Sequence, residues 1–384
     1  MLGQVSKYQN HIISFIILII IGFFYNRYQE KIERENYQQN NKAIQDYLLR
    51  DPESLSINKR PILWIPITYD YNSRDWLSFG SRSSFDLNQP YLYLTVNSII
   101  THCDKSFRIC IVDDNAFDLL LPGWSIDMNR ISKPITSYIR DLGLCKLLHK
   151  YGGMVVPPSF VCSKDLIGLY NNSVDGNKLF VCENIDRNST ATKYMYYPDM
   201  TIMGCLKENN TIKELIEYIE ISISDDYTAE TEFLGKFDGW CARGVSEHKI
   251  NLIDPTLIGV KSENGSPILI DNLLANDYVD FSPNMYGIYI PASEILTRNN
   301  YKWFARLSET QVLESNTLIG KYILLSNMPD ELNGSIEPFQ NRNNWVKYYA
   351  TPLLPNGVWG LKPNYLGNNM LSSKKQPVVG KLHY

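Results

Sequence analysis

Several chemistries are excluded by what this chain lacks. Of its 384 residues only 5 are His, and its 7 Cys stand singly, with no Cys-x-x-Cys pair and no His cluster. Zinc and thioredoxin-like chemistry are thereby set aside. There is no phosphate-cradling Gly-x-x-x-x-Gly-Lys, no Gly-x-Gly-x-x-Gly, no His-Glu-x-x-His and no Gly-x-Ser-x-Gly. Lys and Arg number 37 against 41 Asp and Glu, a net charge of -4, and they form no dense run. No nucleic-acid partner is implied. The odd cysteine count and the apolar neighbours of most of the thiols favour a reducing compartment, where a buried thiol acts as a small hydrophobe. Five Asn-x-Ser/Thr sequons occur, at Asn171, Asn188, Asn209, Asn264 and Asn333, about as many as composition alone would produce.

Long apolar runs are scarce too. The longest uncharged one covers residues 12–25 (IISFIILIIIGFFY), roughly 21 Å of helix and short of the ~20 residues that usually span a bilayer. Tyr8 and Tyr28 stand where interfacial aromatics would extend it. A signal peptide would need a small-x-small cleavage site, and residues 22–28 (GFFYNRY) offer none. The expectation is an uncleaved signal-anchor over residues 1–28 and a single-pass membrane protein. The flanking Arg27, Lys31 and Arg34 slightly favour a cytoplasmic bulk. Residues 29–57, rich in Glu, Gln, Asn and Lys, read as a polar helical stalk able to self-associate.

Beyond residue 57 the pattern is α/β. Residues 61–67 (PILWIPI) suit a buried strand, 89–103 a helix entered at Pro90, and 107–112 (FRICIV) a strand stopping at Asp113-Asp114-Asn115. Residues 135–151 are helical, 154–156 and 178–181 strands, and 201–205 a strand. Asn209-Asn210-Thr211 then caps a helix over 212–223, and 230–242 forms another. Alternating strands and helices predict a mostly parallel, Rossmann-like sheet flanked by helices. The domain is placed at 58–330, with an irregular tail, 331–384, packed on it.

In open α/β sheets ligands bind beyond the carboxyl ends of strands. Asp113 and Asp114 fall at such an end, as a ligand-binding pair or as a turn that uses Asp for its geometry. The stretch from Arg140 to Ser159 (RDLGLCKLLHKYGGMVVPPS) is the most informative: an acid inside an amphipathic helix, a Gly152-Gly153 turn, a short apolar strand. Paired glycines supply a left-handed helix end and allow close backbone approach.

This layout resembles DXD-type glycosyltransferases of the yeast mannosyltransferase and capsular-polysaccharide kind. There it reads Ser-Asp-x-x-Arg, then Tyr-Gly-Gly, then a strand ending Asp-x-Asp. The resemblance covers about residues 60–245 and implies a GT-A-like fold. Counted from Gly152-Gly153, the family's helix acid falls on Asp141, its Arg on Leu144, and its two metal carboxylates on Pro157 and Ser159. Those carboxylates hold a divalent ion against a departing diphosphate. Prolines cannot ligate through side chains and Ser is a poor substitute, so no metal is expected. A metal-independent transferase would instead need cations there, with Arg140, Lys164 and Arg243 available.

The resemblance implies a nucleotide-sugar or glycan site from Asp113, Asp114, Asp141, Gly152, Gly153 and Ser159, with acceptor-side acids among Glu183, Asp199 and Asp238. Taken singly, each of those three acids reads more readily as a solvated loop or helix-end acid. It would also place the domain in a lumen, against the charge bias, so orientation stays open. The string from Gly152 to Phe160 is similar to proteins of giant DNA viruses. Three functions stand: a weakened or inactive glycosyltransferase relative that still binds nucleotide sugar or glycan, an active metal-independent glycosyltransferase, and a membrane or virion scaffold.

Overall fold

The computed structural model describes residues 60–68, 89–128, 131, 135–184, 197–225 and 236–328, with Tyr47 and most positions between 18 and 28. The stalk apart from Tyr47, the tail 331–384 and residues 12–17 lie outside them. Two units are distinguished, Met1–Tyr47 and Leu48–Tyr384. In the first, the described positions from 18 to 28 are helical and exposed, and the Arg27 guanidinium stands 5.5 Å from the Phe23 ring centre. No helix among the described residues is long and apolar enough to cross a membrane.

The second unit is built on a six-stranded sheet. In chain order its strands are β1 (Ile62–Pro66), β2 (Arg108–Val112), β3 (Gly153–Val155), β5 (Leu179–Glu183), β6 (Pro198–Cys205) and β7 (Ile250–Ile253). The spatial order is β2-β1-β3-β6-β5-β7. β1 pairs parallel with β2 and β3, and β5 parallel with β7, while β6 runs antiparallel to both neighbours. Five strands therefore point one way, and the expected mostly parallel sheet holds with one reversal. A second sheet pairs β4 (Phe160–Cys162) with β8 (Gly287–Tyr289).

Both faces of the large sheet are covered, which explains why β1 and β2 read as nearly unbroken apolar runs. Alternate residues Trp64, Cys110, Val112, Val155, Val181 and Met203 join one core. That core is roofed by α3 (Ile135–Tyr151), α5 (Asn210–Ser224) and α6 (Lys236–Ser246), with the short α2 (Ala116–Leu120) at its margin. The intervening Leu63, Ile65, Ile109, Ile111, Met154 and Phe180 are buried on the opposite face. α1 (Tyr91–Cys103), α4 (Ile167–Ser173), the small sheet and the short helices α7 to α11, from Ile270–Leu274 to Leu318–Ser326, complete the unit.

Asn209 shows how one side chain sets an element. Its Oδ1 accepts from the Thr211 and Ile212 amides at 2.9 and 3.1 Å, starting α5, and its Nδ2 donates to the Asn177 carbonyl at 2.6 Å. With 2% exposure this sequon is closed to a glycan. Asn209→Ala is expected to cost about 1–2 kcal/mol, read from urea unfolding, because it orphans the buried Ile212 amide, the half-buried Thr211 amide and a carbonyl.

Candidate active site: three acids from three elements

The helix α3 runs back along the strand that comes after it. From Asp141 to Tyr151 the helix rises about 15 Å, and from Gly153 to Pro157 the strand advances roughly 13–16 Å. Asp141 is therefore level with the carboxyl ends of the parallel strands, and Gly152-Gly153 sits at their amino ends. The candidate residues divide accordingly.

At the carboxyl edge, Asp141, Asp199 and Asp238 come together. Asp199 is the second residue of β6, and because that strand is reversed its first residues lie beside the end of β5, with Cys182 opposite Asp199. Asn184 Nδ2 donates to Asp199 Oδ2 at 3.0 Å, and the Thr201 amide and hydroxyl donate to Oδ1, the amide at 2.5 Å. These donors hold the carboxylate in place. Asp238 stands in the first turn of α6. The start of that helix is fixed by aromatic packing: Phe237 meets Tyr138 of α3 edge-on at 5.5 Å, and Tyr218 of α5 stacks on Trp240 at 6.1 Å.

The acids feel one another. Burial pushes Asp141 up to about 7, Asp199 adds to the rise, and Arg140 partly offsets it. Asp238 is driven up to about 8, first by surrounding protein, then by Asp199 and Asp141. Yet Asp238 is exposed at the surface, so water screens it, and the half-buried Asp141 is the carboxyl that keeps its proton up to about pH 7. Beneath them lie Cys145, Cys182 and Cys241, buried thiols whose pKa values are raised by burial and by these acids. Held protonated, they are poor nucleophiles.

The remaining candidates are committed elsewhere. Asp113 Oδ1 accepts from the Ala116 amide at 3.0 Å, the turn role. Asp114 takes two bonds from Arg140, at 2.8 and 2.7 Å, which occupies that cation as well. Glu183, 8% exposed, is ion-paired to Lys261 at 2.5 Å. Ser159 is buried, its carbonyl accepting from the Ile290 amide at 3.1 Å, and Thr95 Oγ1 donates to the Pro158 carbonyl at 2.5 Å. The stretch onto which the resemblance would map metal carboxylates is thus packed under α1 and the end of β8. Lys164 Nζ donates to the Pro283 carbonyl at 2.9 Å, and Arg243 is exposed near the end of α6. Among the described residues no group of three or more His, Cys, Asp and Glu is arranged to hold a metal ion.

Gly152 and Gly153 have the left-handed backbone that paired glycines suggest, φ 72° and 104°. Their close neighbour is the protein's own chain: a Cβ on Gly153 would stand 2.2 Å from the Ile62 carbonyl oxygen, and Trp64 Nε1 donates to the Gly152 carbonyl at 3.0 Å. An open cavity of about 920 Å³ adjoins this turn, lined by Arg60, His149, Tyr151, Tyr170 and Lys207 among others. It opens at the end of the sheet away from the acids.

No family model matches the chain, and no curated protein does. Solved structures similar to it include the WbbM bifunctional glycosyltransferase in its apo form, at 12% identity and TM-score 0.38 over 75% of this chain and 52% of that one. The glycosyltransferase GlyE of Streptococcus pneumoniae TIGR4 matches at 11% and TM-score 0.29, over 52% and 46%. The galactosyltransferase LgtC with donor and acceptor sugar analogues matches at 13% and TM-score 0.34, over 71% and 99%. This chain spans about half the length of the first two. Likenesses of this strength assign neither family nor activity.

Proposed function

We propose that this protein is a membrane-anchored, glycosyltransferase-like chain of GT-A-like architecture that has lost metal-assisted transfer and keeps a carbohydrate pocket. Residues 12–25 would anchor it and residues 29–57 would form a stalk able to self-associate. The observation that carries the reading is the meeting of Asp141, Asp199 and Asp238, from α3, β6 and α6, at the carboxyl edge of the sheet. Acids gathered at one edge suit sugar hydroxyls, because a carboxyl that keeps its proton, as Asp141 does up to about pH 7, donates while the carboxyl oxygens beside it accept. The same cluster repels a diphosphate, and Arg140, a nearby cation, is already bonded to Asp114. The sugar end of a nucleotide sugar, or a free glycan, is the ligand this edge favours.

The burial of Pro157 and Ser159 favours this reading over an active metal-independent transferase, which needs room and cations beside the diphosphate. The test is calorimetric titration of the full-length chain in detergent with UDP- and GDP-sugars and with neutral oligosaccharides, with and without Mn²⁺. Metal-independent binding is expected, weakened about 10- to 100-fold in Asp141→Ala. A well-folded chain that binds none of them is a scaffold, and the carbohydrate reading is wrong.

A further inference from the structure

Cys103 closes α1 and Cys162 closes β4, and both are fully buried. Their sulfurs lie 3.8 Å apart, although 59 residues separate them in sequence. The pair is one of several links between the same two segments. The Cys162 amide donates to Ser98 Oγ at 3.0 Å, and Thr95, one turn earlier on α1, donates to the Pro158 carbonyl. The Cys162 thiol donates to the Lys164 carbonyl at 3.1 Å, which leaves its sulfur to accept from Cys103. Neither thiol takes part in the carbohydrate site, and the backbone around both is already held by hydrogen bonds.

We propose that Cys103 and Cys162 are a covalent modification site, a disulfide-forming pair that clamps α1 to β4 when the chain folds in the presence of a small-molecule disulfide. A bonded pair needs about 2.05 Å between sulfurs, so closure requires an approach of roughly 1.8 Å, the scale of a side-chain rotation. In the step, one protein thiolate attacks glutathione disulfide and releases one glutathione thiolate. The second protein sulfur then displaces the other glutathione from the mixed disulfide. Two protein thiols are oxidised, one glutathione disulfide is reduced to two glutathiones, and two protons pass from the protein thiols to the glutathione thiolates. Burial pushes the Cys162 thiol well up, so reaction of the folded protein is slow and the bond forms during folding, before β4 and β8 close over it.

The clamp fixes the α1 side of the wall that replaces the family's metal position. It also reports topology: a cross-link in protein isolated from cells under alkylating conditions means that this domain matured on the oxidising side of the membrane.

The test refolds the full-length chain in detergent with oxidised glutathione or with reductant, then alkylates it under denaturing conditions. All seven described cysteines are free thiols in the reduced fold. The oxidised sample is expected to show five, with one linked peptide pair joining Cys103 to Cys162 and a melting temperature about 5–10 °C higher. Cys103→Ser and Cys162→Ser should each lose the cross-link and the shift, while Cys110→Ser keeps both. Seven reactive thiols after oxidative refolding, or a linkage between other cysteines, overturns the proposal. Peptide mapping of the unsubstituted chain decides the matter even where a serine variant folds poorly.

Discussion

Asp141→Asn is expected to stabilise the protein at pH 8 by about 2–4 kcal/mol, a rise of roughly 5–10 °C in melting temperature, and by no more than about 1 kcal/mol near pH 4.5. The sign comes from the proton count. Asp141 titrates at about 7 in the folded chain and near 3.9 in an unfolded one. Between those values the folded state holds a proton that the unfolded state has released, so stability falls as pH rises. Below about pH 4 both states are protonated and nothing is lost; above pH 7 the loss is complete. Three pH units correspond to about 4 kcal/mol, and the part of Asp141 that water reaches reduces that figure.

An amide has the same shape and no charge to desolvate, so the variant escapes the penalty. Thermal unfolding across pH 4.5–8.5 would show the two curves diverging on the alkaline side. Stability gained together with carbohydrate affinity lost is the signature of a group kept for binding, since such sites hold strain that the fold alone would discard. A variant less stable than the parent at pH 8 would mean that the carboxylate makes structural bonds, and the proposed role of Asp141 would fall.

Much of the scaffold was legible because single periodicities decide it. The helix over 135–151 is found at those bounds, and the strands at 61–67 and 107–112 are found within two residues, since each buries an unambiguous apolar set. The Asn209 cap was legible for the same local reason. β4, only three residues long and one residue after two prolines, carried no pattern of its own. It exists because β8, more than 120 residues later, supplies its partner. The reversal of β6 is likewise a property of pairing: Thr201 to Cys205 reads the same in either direction.

The site divides along that line. Asp141, Asp199 and Asp238 could each be picked out, but Asp199 and Asp238, read singly, were more readily a loop acid and a helix-end acid. Their meeting depends on the reversed strand and on Phe237 and Trp240 docking α6 against α3 and α5. Asp113 and Asp114 looked equally promising, and only tertiary structure shows the first turning the chain and the second holding Arg140.

Gly153→Ala separates a structural turn from a ligand-binding one. With φ at 104° the backbone lies where an L side chain is strained, a cost of about 1–3 kcal/mol before any contact is counted. The new Cβ would then meet the Ile62 carbonyl oxygen at 2.2 Å, well inside van der Waals contact. That oxygen belongs to β1, whose register places Leu63 beside Met154 and Trp64 beside Val155. Relief requires β1 and β3 to part, with fully buried Trp64 and Leu63 between the layers. A loss of more than about 3 kcal/mol is expected, enough to leave much of a marginally stable domain unfolded. Gly152→Ala should be milder, about 1–2 kcal/mol, because its φ of 72° is the ordinary left-handed region, although the Lys207 amide nitrogen would lie 2.8 Å from the added carbon. Urea unfolding of both variants, followed by tryptophan fluorescence, gives the comparison. If Gly153→Ala keeps full stability and loses only carbohydrate binding, the turn touches ligand, and the site belongs at the amino ends of the strands. The steric contact with β1 argues for the opposite result, with the glycines serving to seat β3 against β1 so that α3 carries Asp141 to the far edge.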